Sequence, residues 1–233
     1  STAGVPAHLP AAAGFLIEKE IEYLSKATEN PGHPYVALLG GAKISDKIPV
    51  LKNLLNKADT VCIGGAMAYT FLKWKGISVG DSLVEEDMLE TAGEFLETAG
   101  KKILLPVDHV CGDSIEGQPK VSHFDDYIPA GQIGLDIGPR TIQVYEDKID
   151  GAELVTWNGP LGLFENEDFA AGTMRIARAM AACEGMTIVG GGETAEAVDK
   201  AGVADQMSHV STGGGASLGF LAGEELPGIA ALQ

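Results

Sequence analysis

Short apolar runs alternate with amphipathic stretches along most of the chain, and that alternation predicts its architecture. YVALL (35–39), TVCI (60–63), KILLPV (102–107), ELVTW (153–157), MTIVG (186–190) and SHVST (208–212) have the length of buried strands. Helical patterns lie between them at 45–57, 66–74, about 85–99, near 139–149, about 167–184 and 193–201. In the first of these, Ile48, Leu51, Leu54 and Leu55 make the apolar stripe. Residues 8–29 predict an opening helix on which Phe15, Leu16, Ile21 and Leu24 share a face, and NPGHP (30–34) ends it. Residues 108–133 read as irregular or β-rich, and GLDIG (134–138) leads into the next helix. Strands alternating with helices predict an α/β fold, a doubly wound, Rossmann-like sheet of about six mainly parallel strands with helices on both faces. No linker, low-complexity tract or repeat divides the chain, so residues 1–233 read as one domain.

Ligands of such sheets bind beyond the carboxyl ends of the strands. Five strands end there in small residues: GGAK (40–43), GGA (64–66), NGPLG (158–162), GGGET (190–194) and GGG (213–215). One such cluster is explained by a tight strand-to-helix turn. Five on one rim predict a ligand that approaches the backbone, with free N–H groups and helix N-termini turned toward phosphate. There is no GxxxxGK[ST], which argues against a P-loop NTPase, and no GxGxxG after the first strand, which argues against a standard dinucleotide fold.

Composition narrows the partners. The chain is 45% hydrophobic, enough for a substantial core, but its formal net charge is −17. That balance weighs against nucleic acid and against anionic membrane surfaces. An anionic ligand must then be held locally, by lysines, backbone N–H groups or a metal. There is no apolar run of transmembrane length, and STAGVPAHLP lacks the pattern of a signal peptide. Cys62, Cys111 and Cys183 are scattered without a CxxC pair, which predicts free thiols in a reducing, cytoplasmic setting. The histidines are dispersed without HExxH, so no structural zinc is expected.

GGAKISDKI (40–48), IGGAMAYTF (63–71), LDIGP (135–139), WNGPLGLFE (157–165), GGGET (190–194) and HVSTGGGASL (209–218) occur in this order. Together they resemble the carboxyl-terminal, nucleotide-binding domain of the phosphoglycerate kinase family, and ELPGIAALQ resembles that family's tail. The resemblance covers essentially the whole chain. It implies a hinge-proximal helical segment at 1–30 and a C-terminal tail at 224–233. It implies the reaction ATP + 3-phosphoglycerate ⇌ ADP + 1,3-bisphosphoglycerate, with Mg²⁺. It also implies a partner, a preceding domain that binds 3-phosphoglycerate and is absent from this chain. Alone, the chain is expected to bind ATP or ADP without turnover.

The resemblance implies roles for individual residues. Lys43 contacts the phosphoryl group in transfer and the nucleotide phosphates, and Gly213, Gly214 and Gly215 face that group with their backbone N–H groups. Lys47 holds a nucleotide phosphate; a lysine in a first helical turn is disfavoured by the dipole and hints at an anion, although a surface i,i+4 role is the alternative. Gly41, Ala42, Gly64, Gly65, Gly134, Leu135, Asn158, Gly159, Pro160 and Leu161 shape the nucleotide pocket, and Glu165 accepts from the ribose hydroxyls. Gly191 and Gly192 adjoin the phosphates, and Thr194 either bonds a phosphate or caps its helix. Glu193 stands where the family has Asp in GGGDT. It meets Mg²⁺ directly or through water, or serves only its helix N-terminus. Ser45 is positioned to cap the 45–57 helix, and His209 packs as part of its strand. No general base is required, because the acceptor in either direction is already ionised. Two other functions compete. One is a non-catalytic nucleotide-binding module. The other is a dinucleotide oxidoreductase, which Gly64 and Gly65 oppose by standing where an acid is expected.

Overall fold

In the computed structural model, which describes residues 3–6 and 8–232, the alternation becomes a six-stranded parallel sheet and a smaller three-stranded one. Ser1, Thr2 and Ala7 of the 1–30 segment and Gln233 of the tail lie outside the described residues. The first half runs α1 (Phe15–Thr28), β1 (Tyr35–Leu39), α2 (Ile48–Lys57), β2 (Thr60–Ile63), α3 (Met67–Trp74), α4 (Leu89–Ala99), β3 (Ile103–Leu104), β4 (Asp108–Gly112) and β5 (Ser122–Asp125). It continues with β6 (Ile133–Ile137), α5 (Pro139–Ile149), β7 (Leu154–Asn158), α6 (Ala171–Ala182), β8 (Met186–Gly190), α7 (Gly192–Lys200), β9 (His209–Val210), α8 (Gly215–Leu221) and α9 (Pro227–Ala230).

The large sheet has the order β3-β2-β1-β7-β8-β9. The chain moves outward from β1 to β3, then returns to pair β7 with β1 and moves outward the other way. The switch point therefore lies between β1 and β7, where Leu39 pairs with Asn158. Alternation along β1 builds the two cores. Tyr35, Ala37 and Leu39 meet Leu24, Leu51, Phe71, Phe95 and Leu221 from α1, α2, α3, α4 and α8. Val36 and Leu38 meet Tyr145, Ile176 and Val198 from α5, α6 and α7. Each large side chain buried in this way contributes about 1.5–3 kcal/mol.

Several expectations change in detail. β3 stops before Pro106, which has no N–H for a ladder. β9 is two residues long, because Ser211 and Thr212 turn to α1. Residues 108–133 supply β4, β5 and the start of β6, and Gly134–Ile137 of GLDIG complete β6, so this segment folds as the separate antiparallel sheet β5-β4-β6. Ser45 does not cap α2; its hydroxyl donates to Glu85 Oε1 at 2.5 Å, and Pro49 occupies the first turn instead. Of the predicted stripe on α1, Leu24 is buried and Ile21 half-buried, whereas Phe15 and Leu16 are exposed. Phe15 is 91% exposed, and Glu20, Leu24, Ala27 and Thr28 face inward. Cys62, Cys111 and Cys183 are free, and among the described residues no helix is long and apolar enough to cross a membrane.

Candidate functional site

The loops that leave β1, β2 and β7 are locked together by their backbones. Gly40 N donates to Asn158 O, Gly41 N to Pro160 O and Gly65 N to Leu161 O, each at 2.9 Å. The approach is too close for side chains. A Cβ on Gly40 would stand 2.0 Å from Pro160 O, and one on Gly159 would stand 2.2 Å from Gly40 O. Gly64 is pressed in the same way by the Leu161 side chain. These glycines are required by loop-to-loop packing, whether or not a ligand is bound. Gly192, Gly214 and Gly215 differ, since a Cβ on any of them would meet nothing within 4 Å.

A cleft of about 440 Å³ opens beside the locked loops, at the switch point. It gathers Gly41, Ala42, Gly65, Gly134, Leu135, Pro160, Leu161, Glu165 and Glu193 from five separate motifs. Its lining is mainly apolar, and its three carboxylates, Asp81, Glu165 and Glu193, are exposed. Glu193 reaches it from the first turn of α7.

The remaining predicted residues surround this cleft. Lys47 Nζ donates to Asn158 Oδ1, and Asn158 Nδ2 donates to Gly190 O at 2.9 Å. Burial pushes the Lys47 ammonium below the ordinary lysine value, while Glu193 and Asp46 act against this. Lys47 thus stands between Asn158 and Glu193, at the start of α2. Lys43 is exposed on the same rim and makes no hydrogen bond or ion pair among the described residues. Thr194 is fully buried and accepts from Gly159 N at 2.7 Å, so its hydroxyl binds the β7 loop to α7. Gly191, with a φ of 93°, makes the turn that precedes Gly192 and packs against Asn158.

The three glycines 213–215 lie outside the lining of that cleft. Gly213 N donates to Ser211 Oγ at 3.2 Å, so its amide is occupied, whereas the amides of Gly214 and Gly215 have no acceptor among the described residues. Ser211 Oγ in turn donates to Glu20 Oε2 at 2.7 Å and shares a hydrogen bond with Ser217 Oγ. Thr212 N also donates to Glu20, at 2.7 Å. His209 stacks on Tyr23 with its Nε2 3.1 Å from Glu20 Oε2, off the hydrogen-bonding direction. Burial opposes the Glu20 charge, but the partners Ser211, His209 and Thr212 outweigh it and hold the carboxyl below its ordinary value.

Sequence reasoning missed several cleft residues. Tyr69 follows Gly65 by one helical turn, within IGGAMAYTF, so helical spacing pointed to it. Leu83 and Ile115 form exposed walls on irregular segments where no period marks them. Gly162, the last residue of the NGPLG cluster, and Leu163 complete that loop's part of the lining.

The family model for phosphoglycerate kinase matches residues 1–224. The chain is 56% identical over 238 residues to the phosphoglycerate kinase of Anaeromyxobacter dehalogenans (strain 2CP-C), and the match covers 100% of this chain and 60% of the relative. It is 53% identical over 240 residues to that of Thermosipho africanus (strain TCF52B), with the same coverage. Among solved structures, phosphoglycerate kinase from Coxiella burnetii matches with a TM-score of 0.95 at 44% identity, over 100% of this chain and 62% of that chain. Phosphoglycerate kinase from Pyrococcus horikoshii OT3 matches with a TM-score of 0.88 at 34% identity, over 100% of this chain and 60% of that one. The chain therefore spans about 60% of the length of the curated relatives it matches.

Proposed function

The chain belongs to the phosphoglycerate kinase family, and from that premise we propose that residues 1–233 are its nucleotide-binding domain, serving phosphoryl transfer between ATP and the carboxyl group of 3-phosphoglycerate. One observation carries the reading. Gly41, Ala42, Gly65, Leu135, Pro160, Glu165 and Glu193, drawn from separate motifs, line one cleft at the sheet's switch point, with Lys47 beside it. The mainly apolar walls suit a purine, and an exposed carboxylate on the same cleft, Glu165, suits ribose hydroxyls as their acceptor. Lys43, Lys47 and the open amides of Gly214 and Gly215 then meet the phosphates and the phosphoryl group in transfer.

Among the described residues no group of three or more His, Cys, Asp or Glu side chains could hold a metal. Glu193, exposed on the cleft at the first turn of α7, suits a magnesium ion whose other ligands are phosphate oxygens and water. Glu193 would hold it directly or through one water, and the ion, when bound, neutralises charge on the phosphates. The chain's own residues supply orientation and electrostatic stabilisation. They move no proton, because each acceptor is already ionised.

Turnover requires a second wall that holds 3-phosphoglycerate, and the chain by itself binds nucleotide as a module without appreciable catalysis. The exposed apolar side chains Val5, Leu9, Phe15, Leu16 and Ile17 near α1 support a partner domain on that side. A cytoplasmic setting accords with three free thiols. Isothermal titration with Mg-ADP tests the reading. Saturable binding that weakens in Lys43→Ala, with the fold unchanged, is expected, and folded protein that shows no binding rejects it.

A further inference from the structure

The structure assigns Asp136 of β6 a role beyond the family motif that contains it. We infer that it is the positioning residue of the cleft floor, and that its ionised form is the one that supports tight nucleotide binding. The inference rests on the nucleotide reading of the cleft.

Asp136 is 1% exposed. Its Oδ2 accepts from Gly172 N at 2.6 Å, and its Oδ1 accepts from Ile137 N at 2.9 Å. Gly172 is the second residue of α6, so Asp136 satisfies an orphan helix amide from a distant strand and places negative charge at the positive end of that helix. The same carboxylate presses on the floor of the cleft. A Cβ on Gly162 would stand 2.2 Å from Asp136 Oδ1, and one on Gly172 would stand 2.4 Å from it. The floor is fixed on either side of that contact. Leu163 N donates to Leu135 O at 2.7 Å, and Leu161 N donates to Thr173 Oγ1 at 3.1 Å. Leu161, Gly162 and Leu163, which line the cleft, thus rest on Asp136 and on its neighbours in β6 and α6.

No cation pairs with this carboxylate among the described residues. The titratable groups on the elements packed around it are Tyr69 and Lys73 of α3, Asp108, His109 and Cys111 of β4, Glu165 of the floor loop, and Arg178 and Arg175 of α6, the last held by Glu146 on the outer face. Burial pushes the Asp136 carboxyl up to about 7, against the two backbone hydrogen bonds. Both protonation states are therefore accessible near neutrality. A protonated carboxyl keeps acceptor capacity but loses the charge that strengthens the bonds from Gly172 N and Ile137 N, and its hydroxyl hydrogen has no acceptor among the described partners, so this contact loosens. The glycines pressed against it then shift, and the floor moves with them. The expected cost is about tenfold in nucleotide affinity, the scale of one charge-assisted hydrogen bond.

Isothermal titration with ADP, on the wild type and on Asp136→Asn, across about pH 6–8, tests the inference. The asparagine keeps the shape and one acceptor but cannot ionise. Protonation of ADP itself is common to both proteins and cancels in the ratio of their dissociation constants. That ratio, variant over wild type, is expected to rise about tenfold as the pH increases. A pH-independent ratio with both proteins folded overturns the assignment. A second measurement stands if the variant does not fold. The ¹³C shift of the Asp136 carboxyl in the wild type should titrate about one pH unit lower when ADP is saturating, by reciprocal linkage. An unmoved midpoint also overturns the assignment. Absence of ADP binding by the wild type at every pH removes the nucleotide reading itself, and this assignment with it.

Discussion

Glu20 Oε2 accepts a hydrogen bond of 2.7 Å from Ser211 Oγ, joining α1 to the loop before α8 across 191 residues of chain. The bond explains why a carboxylate lies on the buried face of α1. It also ties the start of the chain to the loop that carries Gly213–Gly215. Glu20→Ala leaves Ser211 and the Thr212 amide without this acceptor, and it should cost about 3 kcal/mol in urea denaturation at neutral pH. The Glu20 carboxyl lies below its ordinary value in the fold, so its contribution is present above that ordinary value and is lost as pH falls through the folded value. Glu20→Gln should therefore flatten the acid limb of the stability curve, and an unchanged limb would contradict the anchor.

Two glycine substitutions should separate loop packing from ligand approach. Gly40→Ala places a methyl 2.0 Å from Pro160 O and should destabilise by about 3 kcal/mol or more, or prevent folding. Gly192→Ala meets open space at the first turn of α7 and should leave stability within about 1 kcal/mol of wild type. If the α7 amides receive phosphate, the same methyl should weaken ADP binding. Thermal melts together with ADP titrations read both effects.

Among the described residues no group of three or more acidic, His or Cys side chains could hold a metal unaided, so the metal should matter only together with the nucleotide. ADP affinity of the wild type should be higher with Mg²⁺ than with EDTA. Glu193→Gln should shrink that ratio toward unity while leaving the EDTA value nearly unchanged. A ratio that survives the substitution would remove Glu193 as the metal-facing group.

His109 is 1% exposed, its Nδ1 has no hydrogen-bond partner among the described residues, and its ring lies against Tyr69 with centroids 5.6 Å apart. Burial pushes the imidazole down to about 4, against Asp108 and Asp126. The unfolded chain takes up this proton near pH 6.5, so stability should be full above that value and decline as pH falls toward 4, by roughly 3 kcal/mol. Asp136 acts in the opposite sense, because its raised folded value penalises the fold above about 7 and relieves that penalty as pH falls. The difference between wild type and His109→Gln isolates the histidine. Parallel stability profiles for the two proteins would show that His109 does not titrate in this way.

The order of the sheet elements was legible because parallel strands, buried on both faces, leave unbroken runs such as YVALL and MTIVG. The rim was legible because glycine cannot be concealed in composition. What those glycines do was not. Gly40 and Gly159 exclude side chains for each other's backbone, a relationship that exists only once β1 and β7 are neighbours. Ser45 was misread and Glu20 left unmarked for the same reason, since their partners Glu85 and Ser211 come from distant segments. Leu83 and Ile115 lie on irregular chain, where no period announces a cleft wall.

The locked loops also divide the cleft by its tolerance of change. Where one backbone fills the space that another residue's side chain would need, there is no room for trial by single substitution. Gly40, Gly64, Gly65 and Gly159 are therefore closed to gradual drift. The outer wall is not, because Leu83 and Ile115 are half-exposed and can be exchanged without disturbing the sheet. A lineage that altered the shape of its ligand would have to write the alteration there, on the rim's movable margin, and inherit the inner frame unaltered.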